Sequence, residues 1–110
     1  MPLYITRGNY SAATVAGMMA KPEDRTEAVA QLFAAVGGKL HALYFTFGKT
    51  DFLLIAEARN EKDMVAALLA AAGSGAVTNL DTTVAISAAD MKGAFAKAKS
   101  VAKKYRPGGA

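Results

Sequence analysis

The sequence predicts an α+β domain built from two strand–helix–strand halves, and three observations carry that expectation. Short runs rich in β-branched and aromatic residues recur at residues 3–6, 40–47, 52–58 and 76–86. Longer stretches with apolar residues at helical spacing separate the first run from the second and the third from the fourth. Clusters of Gly, Pro, Asn and Ser punctuate the joints.

Leu3-Tyr4-Ile5-Thr6 reads as the first strand, with Gly8-Asn9 as the turn that ends it. Ser11 suits the N-cap of a short helix over residues 12–20. Pro22 then forces a restart, and Pro at the first turn with Glu23, Asp24 and Glu27 near the positive end of the dipole predicts a main helix over 22–36. Val29, Leu32, Phe33 and Val36 fall on one face of it, and Gly37-Gly38 is its stop signal.

The next two apolar runs, joined by Gly48-Lys49-Thr50-Asp51, read as a β-hairpin. Asn60 caps a second core helix whose buried face is Met64, Val65, Leu68, Leu69 and Ala72, and Gly73-Ser74-Gly75 ends it. These glycines lack the following helix and the Lys-Ser/Thr ending of a phosphate loop, so they predict a helix-to-strand turn. A last strand spans 76–86. The order βαββαβ with right-handed crossovers gives a four-stranded antiparallel sheet with both helices on one face, the split-βαβ or ferredoxin-like arrangement. Ser87-Ala88-Ala89-Asp90 opens an extra helix carrying Met91, Phe95, Ala98, Val101, Ala102 and Tyr105 as a stripe that must pack on its own sheet or on a neighbour's. Residues 1–90 therefore form the domain, 91–106 a basic amphipathic helix, and 107–110 a disordered tail.

Composition narrows the chemistry. Of 110 residues 53% are hydrophobic and 20% charged, which suits one globular core. No cysteine is present, which excludes disulfides, thiolate nucleophiles and sulfur-bound zinc, and one histidine cannot build a metal site alone. The sequence calls for no cofactor. Met1 to Ile5 lacks the basic segment and apolar run of an export signal, and no stretch approaches a membrane helix, so the expected location is the cytoplasm. Net charge is +4, but residues 1–90 hold seven Lys/Arg against nine Asp/Glu, and 91–110 hold six Lys/Arg and no acid. Those tail cations complement a helix C-terminus; without interleaved aromatics, nucleic-acid binding through this helix is only an alternative.

Tyr4-Ile5-Thr6 with Gly8-Asn9-Tyr10, the stop Gly37-Gly38-Lys39, the strand end Tyr44-Phe45-Thr46-Phe47-Gly48, Asp51 two residues past Lys49, and Glu57-Ala58 together resemble the GYD-domain family. The likeness runs from Leu3 to Met91. Thr50 stands where the name-giving tyrosine belongs, so no role of that ring carries over. The resemblance implies a small bacterial protein, of unknown function in most members, with a fold similar to the dimeric α/β barrels. Their relatives include cofactor-independent monooxygenases, lactone isomerases, polyketide cyclases and haem-degrading enzymes. Fold alone selects none of these.

Each candidate site residue has both a chemical and a plainer structural role open to it. His41 is a general base or haem ligand, or a hydrogen-bonded strand-end histidine. Asp51 is catalytic, or caps its own turn. Tyr4, Thr6 and Tyr44, with Thr46, Asn79, Asp81 and Thr83, would make the open sheet face half polar, suited to a subunit interface or to a ligand cavity. Arg7 and Glu57 bind an anion, pair with each other, or are solvated. Met18, Met19 and Met64 line an adaptable pocket or fill the core. A domain this small buries only about 60–70% of its unfolded surface, so a second copy over the open face is expected. The function that follows is self-assembly through the sheet with binding of a small apolar or aromatic molecule; the alternative is a cofactor-independent monooxygenase, isomerase or cyclase using His41.

Overall fold

The computed structural model describes residues 1–108. Its elements are β1 (Leu3–Tyr10), α1 (Ala12–Ala20), α2 (Thr26–Ala34), β2 (Lys39–Phe45), β3 (Phe52–Glu57), α3 (Glu61–Gly73), β4 (Val77–Ala85) and α4 (Ala88–Ala102). The sheet order is β2-β3-β1-β4, all pairs antiparallel, with α2 on the β2 side and α3 on the β4 side. This is the expected ferredoxin-like arrangement with an added C-terminal helix.

The core lies between one face of the sheet and α2 and α3. Phe33 from α2 and Met64 and Ala67 from α3 close over Tyr4, Phe52, Leu54 and Ala56 from the two central strands. Gly8 does not end β1, which runs on to Tyr10. A Cβ at Gly8 would lie 2.8 Å from Leu80 Cδ2 and 2.8 Å from Phe52 Cζ, so its glycine is a packing requirement, not a turn signal. The register irregularity falls between Arg7 and Asn9, opposite Asn79, which adopts φ 53° and donates from Nδ2 to Asn9 Oδ1 at 3.0 Å. Asn tolerates this left-handed conformation better than branched residues do.

α2 begins four residues later than Pro22 suggested. Asp24 Oδ1 accepts from the Thr26 backbone N–H at 2.9 Å and from the Thr26 hydroxyl at 2.6 Å, and this local turn holds residues 22–25 outside the helix. The helix ends as the glycines predicted. Gly38 N–H donates to Phe33 O at 2.8 Å and Gly37 N–H to Ala34 O at 3.0 Å, with Gly37 at φ 75°, which is a Schellman closure. Asn60 and Ser87 cap α3 and α4 through the backbone N–H of Asp63 and Asp90. The turn at Ser74-Gly75, with Gly75 at φ 82°, connects α3 to β4 as read.

The C-terminal stripe does not pack in cis. α4 buries none of its residues, and Phe95 and Tyr105 are 67% and 70% exposed. The radius of gyration, 17.9 Å, exceeds the roughly 13 Å of a compact 100-residue domain, as a helix standing away from the body requires. Pro107 and Gly108 continue as irregular backbone, and the rest of the predicted tail lies outside the described residues.

Candidate functional site

The two faces of the sheet have different characters. Tyr4 and Thr6, expected on the open face, instead point under the helices, 4% and 0% exposed. Thr6 fits there because its hydroxyl shares a 2.8 Å hydrogen bond with the hydroxyl of Thr82, its partner on β4. The open face is consequently more apolar than the sequence suggested. The alternation of buried positions and the strand register place Leu3 and Ile5 beside Leu53, Ile55, Ala42 and Tyr44. Tyr44, on edge strand β2, is 61% exposed.

Charged residues flank this apolar centre. Arg7 stands opposite Asp81 at one end. At the other, Lys39 stands opposite Glu57, and His41 occupies the β2 bulge between Leu40 and Ala42. His41 Nε2 lies 2.9 Å from Glu57 Oε1, so Glu57 pairs with His41 and not with Arg7. With Nε2 committed to the carboxylate, the Nδ1 side of the ring is left for a proton or a ligand.

Asp51 stands apart from both faces. Its Oδ2 accepts from the backbone N–H of Tyr10 at 3.0 Å, while its own N–H donates to Gly8 O at 2.8 Å. Its carbonyl accepts from Thr46 N–H at 2.8 Å, and the Thr46 hydroxyl donates to Thr50 O at 2.7 Å. Asp51 thus joins the β2–β3 turn to the end of β1. The six singled-out residues do not converge on one point. His41, Arg7 and Tyr44 share the open face, Tyr4 and Thr6 lie under the helices, and Asp51 lies at the strand ends.

A cavity that the sequence reading did not assemble opens between the sheet and the helices. Tyr10, Val29, Leu32, Ala71 and Val77 line both of its compartments. The deep compartment, about 70 Å³, is completed by Phe33, Leu43, Phe52, Leu54, Leu68 and Leu80. The outer one, about 300 Å³, adds Thr14, Met18, Arg25 and Ser74 at its polar wall. The Tyr10 ring lies 5.0 Å from Phe52 and 5.2 Å from Phe45, centroid to centroid, and so stands between the two compartments and the end of the hairpin. Burial pushes the Tyr10 phenol above its usual range, and the Arg25 charge opposes part of that shift. Gly8-Asn9-Tyr10 was the available signal for this site, but it reads as a turn when Gly8 is taken for a strand end. Met18 lines the outer compartment, whereas Met64 is core.

Among the described residues no group of three or more acidic or histidine side chains could hold a metal ion, and no helix is long and apolar enough to cross a membrane.

A four-stranded antiparallel sheet with two core helices on one face and an apolar opposite face defines a ferredoxin-like α+β protein. Within that class, the GYD-domain family model matches residues 4–95, and the chain belongs to the GYD-domain family. No curated protein sequence matches it. Among solved structures it is similar to MtbAldR, with a TM-score of 0.54 and 16% identity over 78% of this chain and 52% of that one. The chain therefore spans about half the length of that relative, and at this identity the likeness speaks to the fold alone. It is also similar to FFRP-DM1, with a TM-score of 0.49 and 15% identity, covering 78% of this chain and 100% of that one. The hypothetical protein PHS023 from Pyrococcus horikoshii gives a TM-score of 0.49 and 15% identity, covering 79% and 92%.

Proposed function

We propose that this GYD-family chain is a cytoplasmic bacterial homo-oligomer that assembles by covering its open sheet face with a second copy and binds a small apolar or aromatic molecule. The single observation that carries the assembly is the apolar centre of that face, Leu3, Ile5, Leu53 and Ile55 with Tyr44 at its edge. Its charge arrangement supports a self-complementary contact. Arg7 and Asp81 at one end, and Lys39, His41 and Glu57 at the other, let a two-fold-related copy meet cation with anion. The small size of the domain adds the driving force. Light scattering on micromolar protein is the test: a mass of two chains or more is expected, and a monomer overturns the proposal.

One observation favours a second reading, cofactor-independent general-base chemistry of the monooxygenase, isomerase or cyclase kind. Glu57 orients the His41 imidazole at 2.9 Å and leaves the other ring nitrogen to take a proton. Because His41 is on the open face, its site would be closed by the second copy. Turnover of a polyketide-like aromatic substrate that disappears in His41→Gln, with assembly intact, supports this reading; equal turnover in both proteins removes it.

A further inference from the structure

The two-compartment cavity has an amphipathic wall. The deep part is lined by apolar side chains and the Tyr10 ring. The outer part carries a single charged side chain, Arg25, with no carboxylate on its lining. Glu23 reaches Arg25 from the adjoining cleft and accepts from Nη1 at 2.9 Å, which leaves the remaining guanidinium donors for another acceptor. The other polar side chains of the wall are already engaged. Thr14 shares a 2.8 Å hydrogen bond with Ser11, and Ser74 donates to Ala71 O at 2.6 Å as part of the α3 C-cap. Arg25 and Tyr10 both line this outer compartment, so cation and phenol border one space.

Size selects further. An apolar cavity of about 150 Å³ holds a benzene ring. The outer compartment, about 300 Å³, therefore takes a ring, while the deep one, about 70 Å³, takes only a narrow alkyl end. We propose that this cavity is a binding site for small monocarboxylates with an apolar body, the carboxylate held by Arg25 and the Tyr10 hydroxyl, the ring against Val29 and Val77, and an alkyl end between Phe33 and Leu54. The planar guanidinium and the phenol both donate to a carboxylate, and neither gains comparably from a neutral amide. The site is built within one protomer, so it names the class of small molecule proposed above without depending on assembly.

The test is titration of the full chain with 4-butylbenzoate and its neutral counterpart 4-butylbenzamide, followed by calorimetry and by NMR shifts of Val29 and Val77 methyl groups. The benzoate should bind about tenfold or more tightly than the benzamide, as expected for a lost charge-assisted hydrogen bond. Arg25→Gln should remove that preference by weakening benzoate binding more than benzamide binding, and Ala71→Leu, placed where the compartments meet, should weaken both. Circular dichroism on each variant separates loss of the site from loss of the fold. Absence of benzoate binding to the wild-type chain, equal affinity for the two probes, or an unchanged preference in folded Arg25→Gln each overturns the proposal. None of these results alters the oligomeric mass, so failure here is distinguishable from failure of the assembly reading.

Discussion

Asp51 Oδ2 accepts from the backbone N–H of Tyr10 across 41 residues of sequence, and this bond fixes the hairpin turn against the end of β1 beside the cavity. Asp51→Ala leaves a part-buried N–H without its acceptor and should destabilise the chain by about 1–3 kcal/mol in urea unfolding. Asp51→Asn keeps an acceptor oxygen and should lose clearly less. Equal stability of the Ala variant and the wild type would show that water replaces the carboxylate at no cost.

Gly8 packs without a Cβ against Leu80 and Phe52. Gly8→Ala should therefore cost about 1–3 kcal/mol through overpacking of two core side chains. Gly17, in the middle of α1, has open space where its Cβ would stand, and Gly17→Ala should raise helicity, stabilising by about 0.5–1 kcal/mol. Chemical denaturation of the two variants reads opposite signs, and the same sign for both would contradict this packing.

Among the described residues two groups titrate away from their usual ranges, in opposite directions. The Thr26 hydroxyl, and after it the Thr26 backbone N–H, hold the Asp24 carboxyl below the usual carboxylate range. A depressed folded value means that its contribution is present above the unfolded value and is lost as pH falls through the folded one. The Thr26 amide resonance, followed by NMR from about pH 5 to about pH 2, should report the first turn of α2 loosening at the acid end.

Burial raises the Tyr10 phenol, so its contribution is fully present below the unfolded value and is lost as pH rises through the folded one. Ultraviolet titration should show a late phenolate phase that Tyr10→Phe removes. Persistence of that phase in the variant would assign it to another ring.

α4 contributes no buried residue, and a helix of its length is marginal in water without packing. Amide hydrogen exchange should rank β1 and β3, whose core residues are covered on the helix side, as the slowest segments, and Met91 to Ala102 as the fastest helix. Protection of α4 equal to that of the central strands would contradict its standing free of the body.

Much of the fold was legible because helical and strand periods differ and because the stop and cap residues act locally. Gly37-Gly38, Asn60 and Ser87 do in the structure what their neighbours in sequence predict. The start of α2 was not legible, since Pro22 satisfies the usual rule and the competing Asp24–Thr26 turn is decided by a side chain. The faces of β1 were harder still. Leu3-Tyr4-Ile5-Thr6 alternates on both sides, and only the part-buried bond from Thr6 to Thr82, 76 residues away, assigns the polar side to the interior. The cavity escaped for the same reason, because its wall draws on β1, α2, α3 and β4 at once.

Sedimentation velocity on the wild type, Ile55→Asp and Val65→Asp tests the covered sheet face most directly. Ile55 lies at the centre of the open face, whereas Val65 is an exposed residue of α3 on the other side of the sheet. The wild type and Val65→Asp should sediment as the same oligomer, and Ile55→Asp, folded by circular dichroism, as a single chain. A wild-type monomer, or an Ile55→Asp protein that keeps the wild-type mass, contradicts assembly through this face.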